Sequence, residues 1–136
     1  MHIYICLNQR PDGLAMLYGY KPEDALNAVY SFNCDFDEMW VNTDSDHIPC
    51  ESGLLPFEEE TLEKCFELFN SYPGERELPA AELDWVTQYR AQEHRSLSVG
   101  DVVIMSRRGS IRAYACDRVG WHKLTDEPRV IQSLMR

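Results

Sequence analysis

The stretch at residues 101–123, DVVIMSRRGSIRAYACDRVGWHK, constrains the fold more than any other part of the chain. Behind a turn at Val99, Gly100 and Asp101 comes an apolar run, Val102 to Met105. A second run then sets Ile111, Ala113 and Ala115 against Arg112, Tyr114 and Cys116. Alternation with a period of two is the mark of a strand with two distinct faces. The polar link SRRGS contains Gly109, so the two runs read as a hairpin, and Gly120-Trp121 opens a short return strand, WHKL. Strands joined by such short links pair antiparallel. An antiparallel sheet is therefore the expected frame.

Elsewhere the chain alternates strand-like and helix-like segments. HIYICL is β-branched and aromatic, NQRPDG supplies turn residues, and LAMLYGY reads as the second strand of a hairpin. KPEDALNAVYSFN reads as a helix, with Pro22 in its first turn, Glu23 and Asp24 behind it, and Leu26, Val29 and Tyr30 on one face. DEMWVNT reads as a strand centred on Trp40 and Val41, and DSDHIPCESGLLP as a surface loop. The strongest helical pattern starts at Pro56: Leu62, Cys65, Phe66 and Phe69 follow i, i+3, i+4, i+7 spacing, opposite Glu59, Glu60, Glu63 and Glu67. A further helix is expected from Pro79 to near His94, with Leu83, Val86 and Tyr89 or Arg90 inward; EPRVIQSLMR reads as a last strand or a loose end. The expected architecture is α+β, one domain over residues 1–136, with two or three helices packed on one face of an antiparallel sheet. Within it lie an acidic loop-helix segment, 34–69, and a C-terminal β module, 95–124.

A chain of 136 residues with 44% hydrophobic content can bury a core without disulfide or metal staples. No apolar run is long enough to span a bilayer, and MHIYICLNQR has no charged lead before an apolar stretch, which points away from membrane and secretion and toward the cytoplasm. The five cysteines, Cys6, Cys34, Cys50, Cys65 and Cys116, are odd in number and never form a C-x-x-C pair. Reduced thiols acting as small core residues fit that pattern.

Charge is unevenly placed. Residues 34–69 hold eleven acids against one base, Lys64, a difference equal to the whole net charge of −10. Between Arg90 and Lys123 the balance reverses, with seven bases against three acids. The chain has an acidic middle and a basic end.

Catalytic and metal patterns do not emerge. His2, His47, His94 and His122 never pair at helical spacing, and DSDHIPCE lacks the later glycine and bidentate glutamate of a calcium loop. Ser96, Ser98 and Cys116 lie among His94, His122, Asp101 and Asp117, with no nucleophile elbow or phosphate loop around them. Arg95, Ser96, Ser98 and Asp101 read as groups that satisfy backbone atoms ahead of a strand. No catalytic residue, metal site or cofactor is expected.

Two surfaces remain. Arg107, Arg108 and Arg112 flank a turn near Trp121, and basic-plus-aromatic sheet surfaces suit single-stranded nucleic acid, although a net charge of −10 opposes it. The acidic segment, through Asp44, Asp46 and Glu51 in the loop and Glu59, Glu60, Glu63 and Glu67 on the helix, is either a solvated face or a field that steers a basic partner.

The residues HRSLSVGDVV, then Tyr114, then Gly120-Trp121, resemble a C-terminal module of small YodL-like proteins of phages, plasmids and integrative elements. The resemblance covers about a quarter of the chain and leaves out the acidic segment from Asp35 to Glu67. It implies a mobile-element setting and a non-secreted protein, and brings no catalytic residues. Together with the charge pattern it leads to the expectation of a non-enzymatic interaction protein. Its sharper form is a counter-defence inhibitor of the anti-CRISPR or anti-restriction kind, acting as a nucleic-acid mimic on a host protein with a basic surface. The alternatives are a nucleic-acid-associated module using the basic hairpin and a small enzyme of unrecognised type.

Overall fold

The computed structural model describes residues 1–10, 14–34, 53–107 and 109–124. These form β1 (His2–Asn8), α1 (Leu14–Tyr18), β2 (Leu26–Asn33), α2 (Pro56–Leu68), α3 (Ala80–Ala91), β3 (Val102–Arg107), β4 (Ser110–Cys116) and β5 (Trp121–Lys123). The five strands make one antiparallel sheet in the order β2-β1-β3-β4-β5. The architecture is α+β.

Topology explains where the helices sit. β1 pairs antiparallel with both β2 and β3, so β2 and β3 run in the same direction with β1 between them. Their connection must cross a face of the sheet. α2 and α3 lie in that connection, and both pack on the face made by Ile3, Ile5, Leu7, Val103, Met105, Tyr114 and Cys116. Leu62, Cys65 and Leu68 of α2 and Val86 and Tyr89 of α3 close this core. The opposite face holds a smaller cluster of Cys6, Val102, Ile104, Ala113 and Ala115. β4 thus alternates as its sequence indicates, but both of its faces are buried toward Cys116.

Two segments depart from the sequence expectation. LAMLY is the helix α1, not a strand: Leu, Ala and Met favour helix, and Gly19, at φ +75°, ends it by returning its N–H to the Ala15 carbonyl at 2.8 Å. The segment LNAVYSFN is the strand β2, not a helix. Its pairing with β1 slips between Ile5 and Cys6, whose partners are Tyr30 and Ala28, so Val29 is an extra residue in a bulge. Leu26 and Ala28 therefore face the smaller cluster while Val29 and Tyr30 both face the main core. A bulged strand with apolar residues at 26, 29 and 30 imitates helical spacing. Pro22 and Glu23 sit in a turn at 21–24, closed by the Asp24 N–H on the Lys21 carbonyl at 2.9 Å. DEMWVNT, the DSDHIPCES part of the loop and EPRVIQSLMR lie outside the described residues.

The longer helices form where expected, each with one expected inner residue, Phe66 or Leu83, turned outward. Glu58, Thr61, Leu62, Cys65 and Leu68 line the inner side of α2, which turns Phe66 outward. In α3 the inner residues are Glu82, Val86 and Tyr89, and Leu83 is exposed. Gly100 is required where α1 meets the sheet. Its φ is +94°, and a Cβ there would lie 2.7 Å from the Ala15 Cβ.

Candidate functional site: the outward face of α2

α2 runs thirteen residues over the sheet with its inner side apolar apart from Thr61 and Glu58. Glu58 is 3% exposed. Its Oε1 accepts the Leu55 N–H at 3.0 Å, which satisfies a backbone donor ahead of the first turn. Its Oε2 accepts a hydrogen bond from the Tyr114 hydroxyl, and the Arg112 Nη1 lies 3.6 Å away. Burial first, and then the Glu58 carboxylate, push the Tyr114 hydroxyl pKa far up. Glu58 therefore anchors the helix to β4 and is lost to the surface.

The other glutamates behave differently. Glu60, Glu63 and Glu67 are exposed and Glu59 half-buried. Glu67 is ion-paired with Arg76, and Lys64 turns aside to Glu82 at 2.5 Å. Among the described residues no cation is ion-paired with Glu59, Glu60 or Glu63. Glu59, Glu63 and Glu67 succeed one another at i, i+4 spacing, and Glu60 stands three residues before Glu63. Each such like-charge pair disfavours a helix by about 0.2–0.5 kcal/mol. Phe66 stands among them, 37% exposed, with its ring edge-on to Trp121 at 6.5 Å between centroids. Helical periodicity assigned Phe66 to the core; Leu62, Cys65 and Phe69 are buried as that spacing predicts, and Phe66 alone of the four lies at the edge of the acidic face. Asp44, Asp46 and Glu51 lie outside the described residues.

The basic hairpin is arranged less favourably for nucleic acid than its sequence indicates. Trp121 is 5% exposed and belongs to the main core, so its indole presents no stacking face. Arg112 lies on the face that α2 covers, near Glu58 and 6.0 Å from the Phe57 ring centroid. Arg107 is on the same strand pair, half-buried, and Arg108 lies outside the described residues.

Comparison of the chain with protein-family models, curated proteins and solved structures finds no match.

The resemblance motif has a structural account of its own. Asp101 is fully buried and holds two backbone amides, Asn8 N at 2.8 Å and Ser98 N at 2.8 Å, while Arg95 grips both its oxygens. Asn8 continues the network, donating from Nδ2 to the Gly100 carbonyl and to Asp24, each at 2.9 Å. Asp24 in turn receives Arg10 and the Lys21 amide. Ser96 accepts from Arg90 Nη2 at 2.7 Å, and Arg90 also caps the Phe69, Ser71 and His94 carbonyls. Asn8, Arg10, Asp24 and Arg90 carry no motif in the sequence that would have placed them here. Only long-range pairing brings them together.

Cysteine chemistry is suppressed. Cys6, Cys34, Cys65 and Cys116 are buried. Burial, with Asp101 adding to it, pushes the Cys6 and Cys116 thiols up to about 12, and burial raises Cys65 further still. Register also separates Cys116 from the imidazole of His122. His122 pairs across from Ala115, on the opposite face, and is engaged with Asp117. Among the described residues no three His, Cys, Asp or Glu side chains could hold a metal ion, and no helix is long and apolar enough to cross a membrane.

Proposed function

We propose that this protein is a non-enzymatic binding protein whose outward α2 face engages a basic surface of another protein, of the kind that otherwise grips nucleic acid. The observation that carries the reading is the row of carboxylates at Glu59, Glu60 and Glu63. It has no described ion-pair partner and borders the partly exposed Phe66 on one side. A helix that keeps like charges at i, i+4 spacing gives up local stability for a field directed outward. Such a field accelerates association with a cationic groove and suppresses wrong partners, while an aromatic at its edge supplies apolar contact area. Glu67 belongs to this face through its pair with Arg76, at its margin. In the mobile-element setting that the C-terminal motif resembles, this is the action of a cytoplasmic counter-defence inhibitor, with the acidic face standing in for phosphates. The nucleic-acid-associated reading has less support, because Trp121 is buried and Arg112 is drawn toward Glu58.

The test is affinity capture from host lysate with the wild type and with Glu59→Lys/Glu63→Lys/Glu67→Lys, followed by mass spectrometry. The wild type should retain a nucleic-acid-binding protein that an added oligonucleotide displaces, and the triple variant should not. The variant should keep its stability to within about 0.5 kcal/mol, since reversal turns the Glu60–Glu63 repulsion into attraction while the three reversed charges still repel one another and the exposed Glu67–Arg76 pair is lost. Equal capture by both proteins would show the face to be only solvated.

A further inference from the structure

Five of the exposed large apolar side chains on the described surface come from two segments a hundred residues apart: Leu14, Met16, Leu17 and Tyr18 of α1, and Val119 in the β4–β5 turn. Leu17 is 55% exposed, Tyr18 67% and Val119 92%. The two segments adjoin, because Arg118 Nη2 donates to the Leu17 carbonyl at 2.8 Å and a Cβ at Gly19 would lie 3.5 Å from Asp117 Oδ1. Apolar side chains clustered in this way mark an interaction surface, whereas scattered ones do not.

The rim decides what can cover it. Lys21, with its ammonium 5.7 Å from the Tyr18 ring centroid, and Arg118 supply positive charge. Glu23, in the adjoining turn, and Asp117, which also pairs with His122, supply negative charge. On a chain of net charge −10 most faces repel a second copy, but among the described residues this rim carries both signs. A twofold contact places the same patch on both sides, so a rim carrying both signs meets its complement, whereas a rim of one sign would meet itself. An anionic lipid surface is opposed by the overall charge, and a strongly acidic or basic partner by half the rim.

We infer that this patch is a twofold interface between two copies of the chain, Leu17, Tyr18 and Val119 packing on their counterparts inside a mixed-sign rim. It shares no residue with the α2 face and is independent of the reading given for that face.

Sedimentation velocity across a concentration series tests it on the intact protein. The wild type should pass from monomer to dimer with a Kd in the range of about 10–100 µM, as fits a small interface. Leu17→Asp should remain monomeric. So should Val119→Asp, whose side chain is too exposed to matter for folding, with an unchanged melting curve in each case. Lys21→Glu, which leaves the rim acidic, should weaken dimerisation about tenfold, since like charges then face each other. A wild type monomeric at about 500 µM, far above that Kd range, would overturn the proposal. So would a Val119→Asp variant that dimerises like the wild type, and a Lys21→Glu variant of unchanged affinity would overturn the role given to the rim.

Discussion

Arg95 holds Asp101 in a two-pronged pair, Nη1 to Oδ2 at 2.6 Å and Nη2 to Oδ1 at 2.7 Å. The carboxylate is completely buried while the guanidinium remains half exposed, so the pair is a lid over a carboxylate that serves the backbone. Asn8 and Ser98 offer it their amides, and the Asp101 carbonyl accepts the Cys116 N–H at 2.9 Å. One residue thereby ties the end of β1, the start of β3 and the end of β4.

Asp101→Ala should cost about 3 kcal/mol or more, because two amides and one guanidinium lose a buried acceptor. Arg95→Ala should cost less, since water can reach part of the site it leaves. Urea unfolding of the two variants checks the order. Binding per folded molecule should not change in either.

Asp24 makes folding sensitive to acid. Burial alone would raise its pKa, but hydrogen bonds from Arg10, Asn8 and the Lys21 amide outweigh it and hold the group below its ordinary value of 3.8. A depressed folded pKa contributes stability that is fully present above the unfolded value and is lost as pH falls through the folded one. The urea midpoint should therefore decline as pH drops below about 4. In Asp24→Asn that part of the decline should be missing, with lower stability at neutral pH.

The Tyr114–Glu58 contact should be worth more than an exposed hydrogen bond. Tyr114→Phe leaves a buried carboxylate oxygen without its hydroxyl donor, at a cost of about 1–3 kcal/mol. In a double-mutant cycle with Glu58→Gln the two losses should be non-additive, because they remove the same contact. Additive losses would mean that the two side chains act separately.

Four thiols should be silent in the native state. With Cys6 and Cys116 pushed up to about 12, and Cys34 and Cys65 buried, iodoacetamide at pH 8 should leave all four unmodified until denaturant is added. Peptide mapping after native alkylation reads this directly. Rapid labelling of Cys65 would mean that α2 opens from the sheet.

Long, strongly periodic segments were legible from the sequence. α2 and α3 show an apolar face over twelve or thirteen residues, and β3, β4 and β5 follow one another through short polar links, so their local patterns are enough. The burial of four cysteines also follows from their spacing and kind. The concentration of acid on one helix was likewise visible before any fold was known.

Tertiary structure decided the rest. Five residues of α1 and eight of β2 make too few local contacts to settle their own conformation; α1 is determined by Ala15 docking on Gly100, and β2 by pairing with β1 around a bulge at Val29. The helix phases, too, are set by what lies beneath them. Glu58 turns inward, where Tyr114 and the Leu55 amide satisfy it, and Phe66 stands at the edge of the outward face. Charge and periodicity are properties of neighbours in sequence, which the chain carries into any fold. Which glutamate is buried, which aromatic is exposed and which cation neutralises which acid depend on residues tens of positions apart, and only packing brings those together.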